Sequence, residues 1–196
     1  MKNIFFIHGA WASKNSFNYI QHSLNHNKLK YSINFEYNSH KENISEIINR
    51  AREELSKEEE KCIIVGHSLG GLIALALHDE KNCDKIITIA SPLSGIRIEP
   101  LFSAFIYGRA PILSELKPKS TLIDFLKNQR YTKAIHCLIA CKGFNPLILE
   151  PSDGIITLAS QEDWIPDNAL ITHVDASHYD ILQTQTTLTS IKRFLE

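Results

Sequence analysis

The sequence predicts an α/β fold with a doubly wound, mostly parallel sheet and helices on both of its faces. Short apolar runs alternate along the chain with segments of helical periodicity, the order expected of repeated βα units. The first run, Asn3–Ile7, is continuously apolar, as in strands that are covered on both sides. In Gly66-His67-Ser68-Leu69-Gly70, a strand-like run turns directly into a helix-like run.

Length and composition favour one globular domain, which we expect to span residues 1–196. Hydrophobic residues make up 43% and charged residues 22%, and the net charge of −1 gives no electrostatic case for nucleic acid or an anionic membrane. No apolar run approaches the ~18 residues of a membrane span, and no signal-peptide core appears, so we expect a cytoplasmic protein. The four cysteines form no Cys-x-x-Cys pair and are expected to be buried free thiols.

The first half of the chain is predicted to continue this alternation. Ser13 is expected to cap a helix that runs to about Asn25. The alternating pattern of Tyr31–Tyr37 predicts a strand nearer the edge of the sheet. Asn43 is expected to cap a helix over about Ile44–Glu60, whose apolar residues form one stripe.

The second half contains three further predicted strands and a closing helix. The strands are Lys85–Ala90, Ala134–Ala140 and Ala169–Val174, and the helix is Tyr179–Leu195. We also expect a helix from Ser120 or Thr121 to about Asn128.

About forty residues separate two of these strands, more than an ordinary crossover needs. We expect residues 96–131 to form a lid-like insertion. Its apolar piece, Leu101–Tyr107, includes Phe102 and Phe105. This piece either lines an acyl pocket or packs as an ordinary helix and connection, and the sequence leaves both interpretations open.

The strongest chemical motif is the turn around Ser68. Gly66 and Gly70 lack a Cβ, so the backbone can take the strained path of a nucleophile elbow and raise the serine hydroxyl above the sheet. The alternative is a glycine-rich βα turn without chemistry. A serine nucleophile needs a base within hydrogen-bond reach and an acid that orients the base.

Among nine histidines, His178 is the predicted base because it follows the last strand and precedes the closing helix. Active sites of parallel sheets lie beyond the carboxyl ends of the strands, where His178 and Ser68 would meet. His173 lies inside the strand and should point into a helix layer. His67 is held by the elbow and is expected to face away.

Asp153 is the predicted acid, on a loop between two strands where Gly154 permits a turn. The alternative is that Asp153 only caps the short helix after it. Rival carboxylates are Glu150, Asp163 and Asp175, although Asp175 precedes the histidine by only three residues.

The backbone N–H groups of Leu69 and Ala10 are the predicted oxyanion hole. Ala10 belongs to the His8–Trp11 loop after the first strand, which is where the second donor is expected. Trp11 either lines the substrate pocket or packs structurally.

These residues make the chain resemble the α/β-hydrolase superfamily from end to end, and more narrowly its small lipases and GPI inositol-deacylase-like branch. The order Ser, Asp, His is that of the family. The segments that carry the resemblance are His8-Gly9, Gly66–Gly71, Ala90–Gly95, Leu116–Leu126, Ser152–Ile156 and Ser177–Tyr179.

The resemblance implies a minimal α/β-hydrolase fold. The first strand corresponds to the family's third, so the two antiparallel edge strands are not expected. The connection after Ala90 is shorter than a full cap domain, and Leu93 stands where the family usually has histidine.

The predicted activity is hydrolysis of carboxylic, acyl-chain esters through an acyl-enzyme. The catalytic residues would be Ser68, Asp153 and His178. Trp11, Phe102 and Phe105 are the predicted substrate-binding residues, and no metal or organic cofactor is expected. The expected partner is a small-molecule or lipid acyl ester and not nucleic acid. Alternatives are a thioesterase or acyltransferase on the same triad, a catalytically silent binding protein, and a lipid-surface interaction module.

Overall fold

A sheet of six parallel strands organises the residues that the computed structural model describes, 2–24, 29–97 and 111–196. In chain order the strands are β1 (Lys2–Ile7), β2 (Leu29–Phe35), β3 (Cys62–His67), β4 (Cys83–Ile89), β5 (Ala134–Ala140) and β6 (Ala169–Val174). They lie in the order β2-β1-β3-β4-β5-β6, each parallel to its neighbours. The predicted doubly wound α/β fold is confirmed, with β2 at an edge of the sheet.

Helices connect the strands and cover the sheet. They are α1 (Asn18–Leu24), α2 (Ile44–Ser56), α3 (Leu69–Ala76), α4 (Pro111–Ser114), α5 (Thr121–Lys127), α6 (Leu158–Glu162) and α7 (Gln185–Phe194). Short 3-10 turns at Lys14–Phe17 and Asp180–Gln183 precede α1 and α7. Both expected caps form: Ser13 accepts from the Asn15 N–H, and Asn43 makes a reciprocal capping box with Glu46.

Two predicted helix boundaries differ from the structure. α2 ends at Ser56 instead of about Glu60. The closing helix is not continuous from Tyr179, because Thr184 takes an extended conformation and its hydroxyl accepts from the Thr187 N–H as the cap of α7. A threonine that can cap a helix also interrupts one, and the apolar periodicity continues across the break.

Apolar residues of the strands alternate between two core layers. Phe5 and Ile7 pack with the layer that contains residues of α2 and α3, whereas Ile4 and Phe6 pack with the layer that contains α1 and α7. Each fully buried side chain of this size contributes about 1.5–3 kcal/mol of transfer free energy. Because both faces are covered, the strands form a rigid base, and their carboxyl ends meet at one rim.

The four cysteines are free thiols, as expected, but only three of them are fully buried. These are Cys62, Cys83 and Cys137, whereas Cys141 is partly exposed. Burial raises the pKa of the Cys62 thiol to about 11, so this thiol is not a thiolate near neutral pH.

The segment predicted as a lid-like insertion is described in part. Phe102, Phe105 and the rest of the Leu101–Tyr107 piece lie outside the described residues. The described residues on either side of this piece are joined by a backbone hydrogen bond, in which the Ile96 N–H donates to the Leu116 carbonyl oxygen at 2.6 Å. Within the described ranges, no helix combines the length and apolar character that a membrane crossing requires.

Candidate active site

Ser68 occupies a strained turn between β3 and α3. Its φ of 53° and ψ of −122° lie where non-glycine residues are rarely found, and such strain is typical of functional positions. The turn requires its glycines: a Cβ on Gly66 would overlap the Gly70 carbonyl, and a Cβ on Gly70 would overlap the Ile7 carbonyl oxygen. The sequence around Ser68 therefore folds into an elbow that holds the side chain half-buried at the start of a helix.

Asp153 and His178 form a buried pair. The Nδ1 of His178 lies 2.6 Å from Oδ2 of Asp153, and their side chains are 3% and 0% exposed. The Asp153 carboxylate also accepts the backbone N–H groups of Ile155 and Ile156 through Oδ1, at 2.9 and 2.7 Å. Because a carboxylate only accepts, the proton of a neutral His178 lies on Nδ1 and Nε2 carries the lone pair.

The four candidate carboxylates occupy different surroundings. Glu150 is exposed at the mouth of the cavity described below. Asp163 and Asp175 form surface ion pairs with an arginine at 3.1 Å and a lysine at 3.2 Å. Only Asp153, among these four, hydrogen-bonds to the His178 imidazole.

Asp153 makes local hydrogen bonds without capping the following helix. The cap of α6 is Thr157, which accepts from the Ser160 N–H at 3.1 Å. One oxygen of Asp153 thus orders its own loop while the other faces His178.

The expectations for His67 and His173 are wrong. His67 does not face away: its ring lies 4.8 Å from that of His178, and its Nε2 hydrogen-bonds the His178 carbonyl oxygen. Burial, and to a smaller extent the nearby His178, lowers the pKa of the His67 imidazole to about 3. His173 is exposed and pairs with Glu162 at the end of α6 instead of pointing into a helix layer. It lies on β6, which is an edge strand of the sheet.

The loop after β1 is held by residues that follow β2. Tyr37 donates its hydroxyl hydrogen to the His8 carbonyl oxygen at 2.8 Å and stacks on the His8 ring. The Trp11 N–H donates to the Ser39 hydroxyl at 2.9 Å, and Trp11 has a φ of 56°. These contacts fix the backbone on both sides of Ala10.

The backbone N–H groups of Ala10 and Leu69 are free of protein acceptors within the described residues. Both residues line the same cavity as Ser68. Each N–H is therefore available to an oxygen that develops negative charge beside the serine.

A cavity of about 690 Å³ lies at this rim. Ser68 and His178 both line it, and most of its remaining lining is apolar. Trp11 also lines the cavity and is 48% exposed. The predicted segment 96–131 contributes Ile96, Arg97, Leu113 and Leu116 to the lining.

Two further residues that contact the Asp153 loop were not predicted from the sequence motifs. Gly143, after β5, has room for no side chain, because a Cβ there would overlap the backbone of Asp153. Its position in the loop shortly after the predicted strand Ala134–Ala140 was the available indication. Gln161 is fully buried and hydrogen-bonds Asp153, and no local pattern distinguishes it from other helix glutamines. Among the described residues, no group of three His, Cys, Asp or Glu side chains is arranged to hold a metal ion.

Comparison with known proteins gives a family match in the first half of the chain. The sequence model of the PGAP1-like alpha/beta domain matches residues 3–104, which contain the loop after β1 and the elbow. No curated protein matches the chain.

Solved structures of the same fold cover nearly the whole chain. Bacillus licheniformis lipase BlEst2 superposes with a TM-score of 0.74 at 16% identity, covering 99% of this chain and 91% of that one. A monoacylglycerol lipase from Paleococcus ferrophilus gives 0.72 at 13% identity, covering 98% and 93%. A lipase-esterase related protein from Clostridium acetobutylicum ATCC 824 gives 0.70 at 14% identity, covering 98% and 94%. At these identities the likeness establishes the fold.

Proposed function

The chain belongs to the PGAP1-like alpha/beta domain family, and from this premise we propose that it is a serine hydrolase of carboxylic esters. The observation that carries the proposal is the buried His178–Asp153 pair, whose imidazole lines the same cavity as Ser68 on its strained turn. A nucleophile, a base and an orienting acid in one site are the requirements for serine-based acyl transfer. The descriptions of the similar structures as lipases support an ester substrate.

In the proposed mechanism, Ser68 attacks the ester carbonyl while His178 Nε2 takes its hydroxyl proton. The N–H groups of Ala10 and Leu69 donate to the tetrahedral oxyanion. Collapse of this intermediate breaks the ester C–O bond, and the leaving alcohol takes the proton from Nε2. A water molecule then repeats the sequence on the acyl-serine, and the carboxylic acid leaves.

Asp153 would supply orientation and charge in this mechanism. Its Oδ2 holds the Nδ1 proton of His178, so Nε2 remains the basic nitrogen. When His178 becomes an imidazolium, the adjacent carboxylate stabilises the positive charge. The two backbone N–H groups on Oδ1 keep the carboxylate from rotating.

The proposed substrate carries an acyl chain, because the cavity beside Ser68 is lined mainly by apolar side chains. Trp11 is placed to contact it. We further propose that residues 1–196 form one domain and that residues 96–131 are a lid-like part of it. In this proposal, Phe102 and Phe105 contact the acyl chain of the substrate.

A labelling experiment tests the proposed function. A fluorophosphonate probe should label the wild-type protein. The wild type should also release p-nitrophenol from p-nitrophenyl acyl esters at a measurable rate. Ser68→Ala should show neither labelling nor release. Loss of a triad nucleophile typically costs on the order of a millionfold in rate. Ser56→Ala, at the surface end of α2, is the matched control and should behave as wild type.

The same assay separates the alternatives. A binding protein without catalysis would stay unlabelled, and this result would overturn the proposal. Acyl-CoA, with and without an acceptor alcohol, distinguishes a thioesterase or acyltransferase from an ester hydrolase. The chain-length profile of Phe102→Ala/Phe105→Ala, measured together with its melting temperature, distinguishes a lid from packing residues: selective loss of long-chain turnover supports the lid.

A further inference from the structure

Gln161 is a fully buried amide whose hydrogen bonds lead to the acid of the proposed triad. It lies in α6 and its exposed fraction is 0%. Its Oε1 accepts from the Ala140 N–H at 3.0 Å, and its Nε2 donates to the Ala140 carbonyl oxygen at 3.1 Å. The same Nε2 donates to Oδ2 of Asp153 at 3.3 Å.

These three bonds determine the orientation of the amide. With Oε1 facing the Ala140 N–H, both hydrogens of Nε2 have acceptors. A flipped amide would set Oε1 of Gln161 against the Ala140 carbonyl oxygen and the Asp153 carboxylate, which also only accept. The orientation that aims an N–H at Asp153 is therefore the one that leaves no buried polar group unpaired.

Ala140 connects this amide to the rigid part of the fold. It is the last residue of β5, which pairs with β4 on one side and β6 on the other. Asp153 lies on a loop, and its own backbone does not belong to the sheet. Gln161 thus ties the loop carboxylate directly to the carboxyl end of β5, which is paired on both sides.

Gln161 contacts the same Asp153 oxygen that hydrogen-bonds His178, the proposed base. Oδ2 of Asp153 receives both the Gln161 amide and Nδ1 of His178, whereas Oδ1 receives two backbone N–H groups. The carboxylate is held at both oxygens, and its plane is fixed relative to the imidazole. Without the amide, His178 would be the sole side-chain donor to Oδ2 among the described residues.

We infer that Gln161 is a positioning residue that acts on His178 through Asp153. This inference rests on the proposed function, in which Asp153 orients the base. Gln161 contacts no reacting atom. Its effect is to keep Oδ2 in line with Nδ1, and misplacement by about 1 Å costs on the order of a hundredfold in rate.

A double-mutant cycle tests the inference. Gln161→Met keeps the side-chain length but removes all three hydrogen bonds, and kcat for p-nitrophenyl butyrate should fall by about a hundredfold. In an Asp153→Asn background, the same substitution should cost less than about threefold, because groups that act as a unit are not additive. Gln129→Met is the matched control, since the side chain of this partly exposed glutamine donates to the Phe125 carbonyl oxygen, in the helix α5.

Proton NMR supplies a readout that does not require turnover. The Nδ1–H resonance of His178 should be downfield in the wild type and in Gln129→Met. It should move upfield or broaden in Gln161→Met, at a temperature where circular dichroism shows the variant folded. A merely structural glutamine would lower the melting temperature and leave this resonance unchanged in the folded protein.

Gln161→Glu covers the case in which Gln161→Met fails to fold. A glutamic acid retains the shape and the acceptor for the Ala140 N–H, but it cannot donate to both Ala140 and Asp153. It should therefore also lower kcat and shift the His178 resonance. The inference would be overturned if Gln161→Met lowered kcat by the same factor in the Asp153→Asn background as in the wild type. An unshifted His178 resonance in both folded variants would also overturn it.

The outcomes for Gln161 and for the proposed function can be told apart. A wild type that is neither labelled nor active would contradict ester hydrolysis. The NMR comparison would still show whether Gln161 controls the hydrogen bond between Asp153 and His178.

Discussion

The ring of His67 hydrogen-bonds the backbone carbonyl oxygen of His178 at 2.8 Å, across 111 residues of sequence. A carbonyl oxygen only accepts, so Nε2 of His67 carries the hydrogen. The residue before the proposed nucleophile thereby fixes the backbone of the proposed base. Nδ1 of His67 then carries the lone pair, and it is buried without a hydrogen-bond partner within the described residues.

We expect His67 to make stability depend on pH. Burial lowers its pKa from 6.5 to about 3, so between these values the unfolded chain binds a proton that the folded protein excludes. The free energy of unfolding should therefore fall as the pH decreases from 6.5 towards 3, by up to about 1.4 kcal/mol per pH unit for this group.

Urea unfolding of wild type and His67→Gln at pH 6.5, 5.5 and 5.0 checks this expectation. Glutamine does not titrate, and its amide can still donate to the His178 carbonyl oxygen. The variant should lose less stability over this range than the wild type. Equal slopes for the two proteins would show that His67 is not the buried titrating group.

Asp153→Asn should lower kcat for ester hydrolysis by about ten-thousandfold, because an amide favours the wrong imidazole tautomer of His178. Asp175→Asn and Glu150→Gln are the controls, since the Asp175 side chain is 76% exposed and Glu150 is on the surface. Steady-state kinetics on p-nitrophenyl esters provide the measurement. If kcat fell strongly in Asp175→Asn or Glu150→Gln and stayed nearly normal in Asp153→Asn, the acid would be that other carboxylate.

Leu113→Trp should shorten the preferred acyl chain. Leu113 is half-buried in the wall of the cavity, and a larger ring there takes the space of chain methylenes. Each methylene that no longer fits removes about 0.8 kcal/mol of burial, so kcat/KM for palmitate should fall at least about tenfold relative to acetate. Leu122→Trp, whose side chain lines a separate cavity, should leave the ratio unchanged. An equal loss for all chain lengths would exclude Leu113 from the acyl site.

Tyr37→Phe should reduce kcat by about tenfold with little change in KM. The variant leaves the buried His8 carbonyl oxygen without the Tyr37 hydroxyl, at a cost of about 1–3 kcal/mol. Misplacing Ala10 should cost less than the hundredfold or more that follows outright loss of an oxyanion donor. Kinetics and urea unfolding of Tyr37→Phe are compared with Tyr31→Phe, at an exposed position. Unchanged kcat in a destabilised Tyr37→Phe would limit Tyr37 to a structural role.

The elements nearest the proposed chemistry were predictable because their patterns are local. The spacing of Gly66 and Gly70 allows the turn around Ser68, and continuous apolar runs predict strands covered on both faces. The parallel order then implies that the strand ends share one rim. A local pattern also explains the failure at the closing helix: apolar periodicity continues through Thr184, whereas the cap depends on the conformation of one residue.

The sequence by itself determined the α/β order of the chain, the elbow and the candidates Ser68, Asp153 and His178. Only the tertiary structure decided which carboxylate meets His178 and that His67 turns towards it. It also decided that Gln161 reaches both Ala140 and Asp153. Periodicity and glycine spacing act over a few neighbouring residues, whereas the direction of a buried polar side chain depends on which donors and acceptors packing brings within about 3 Å.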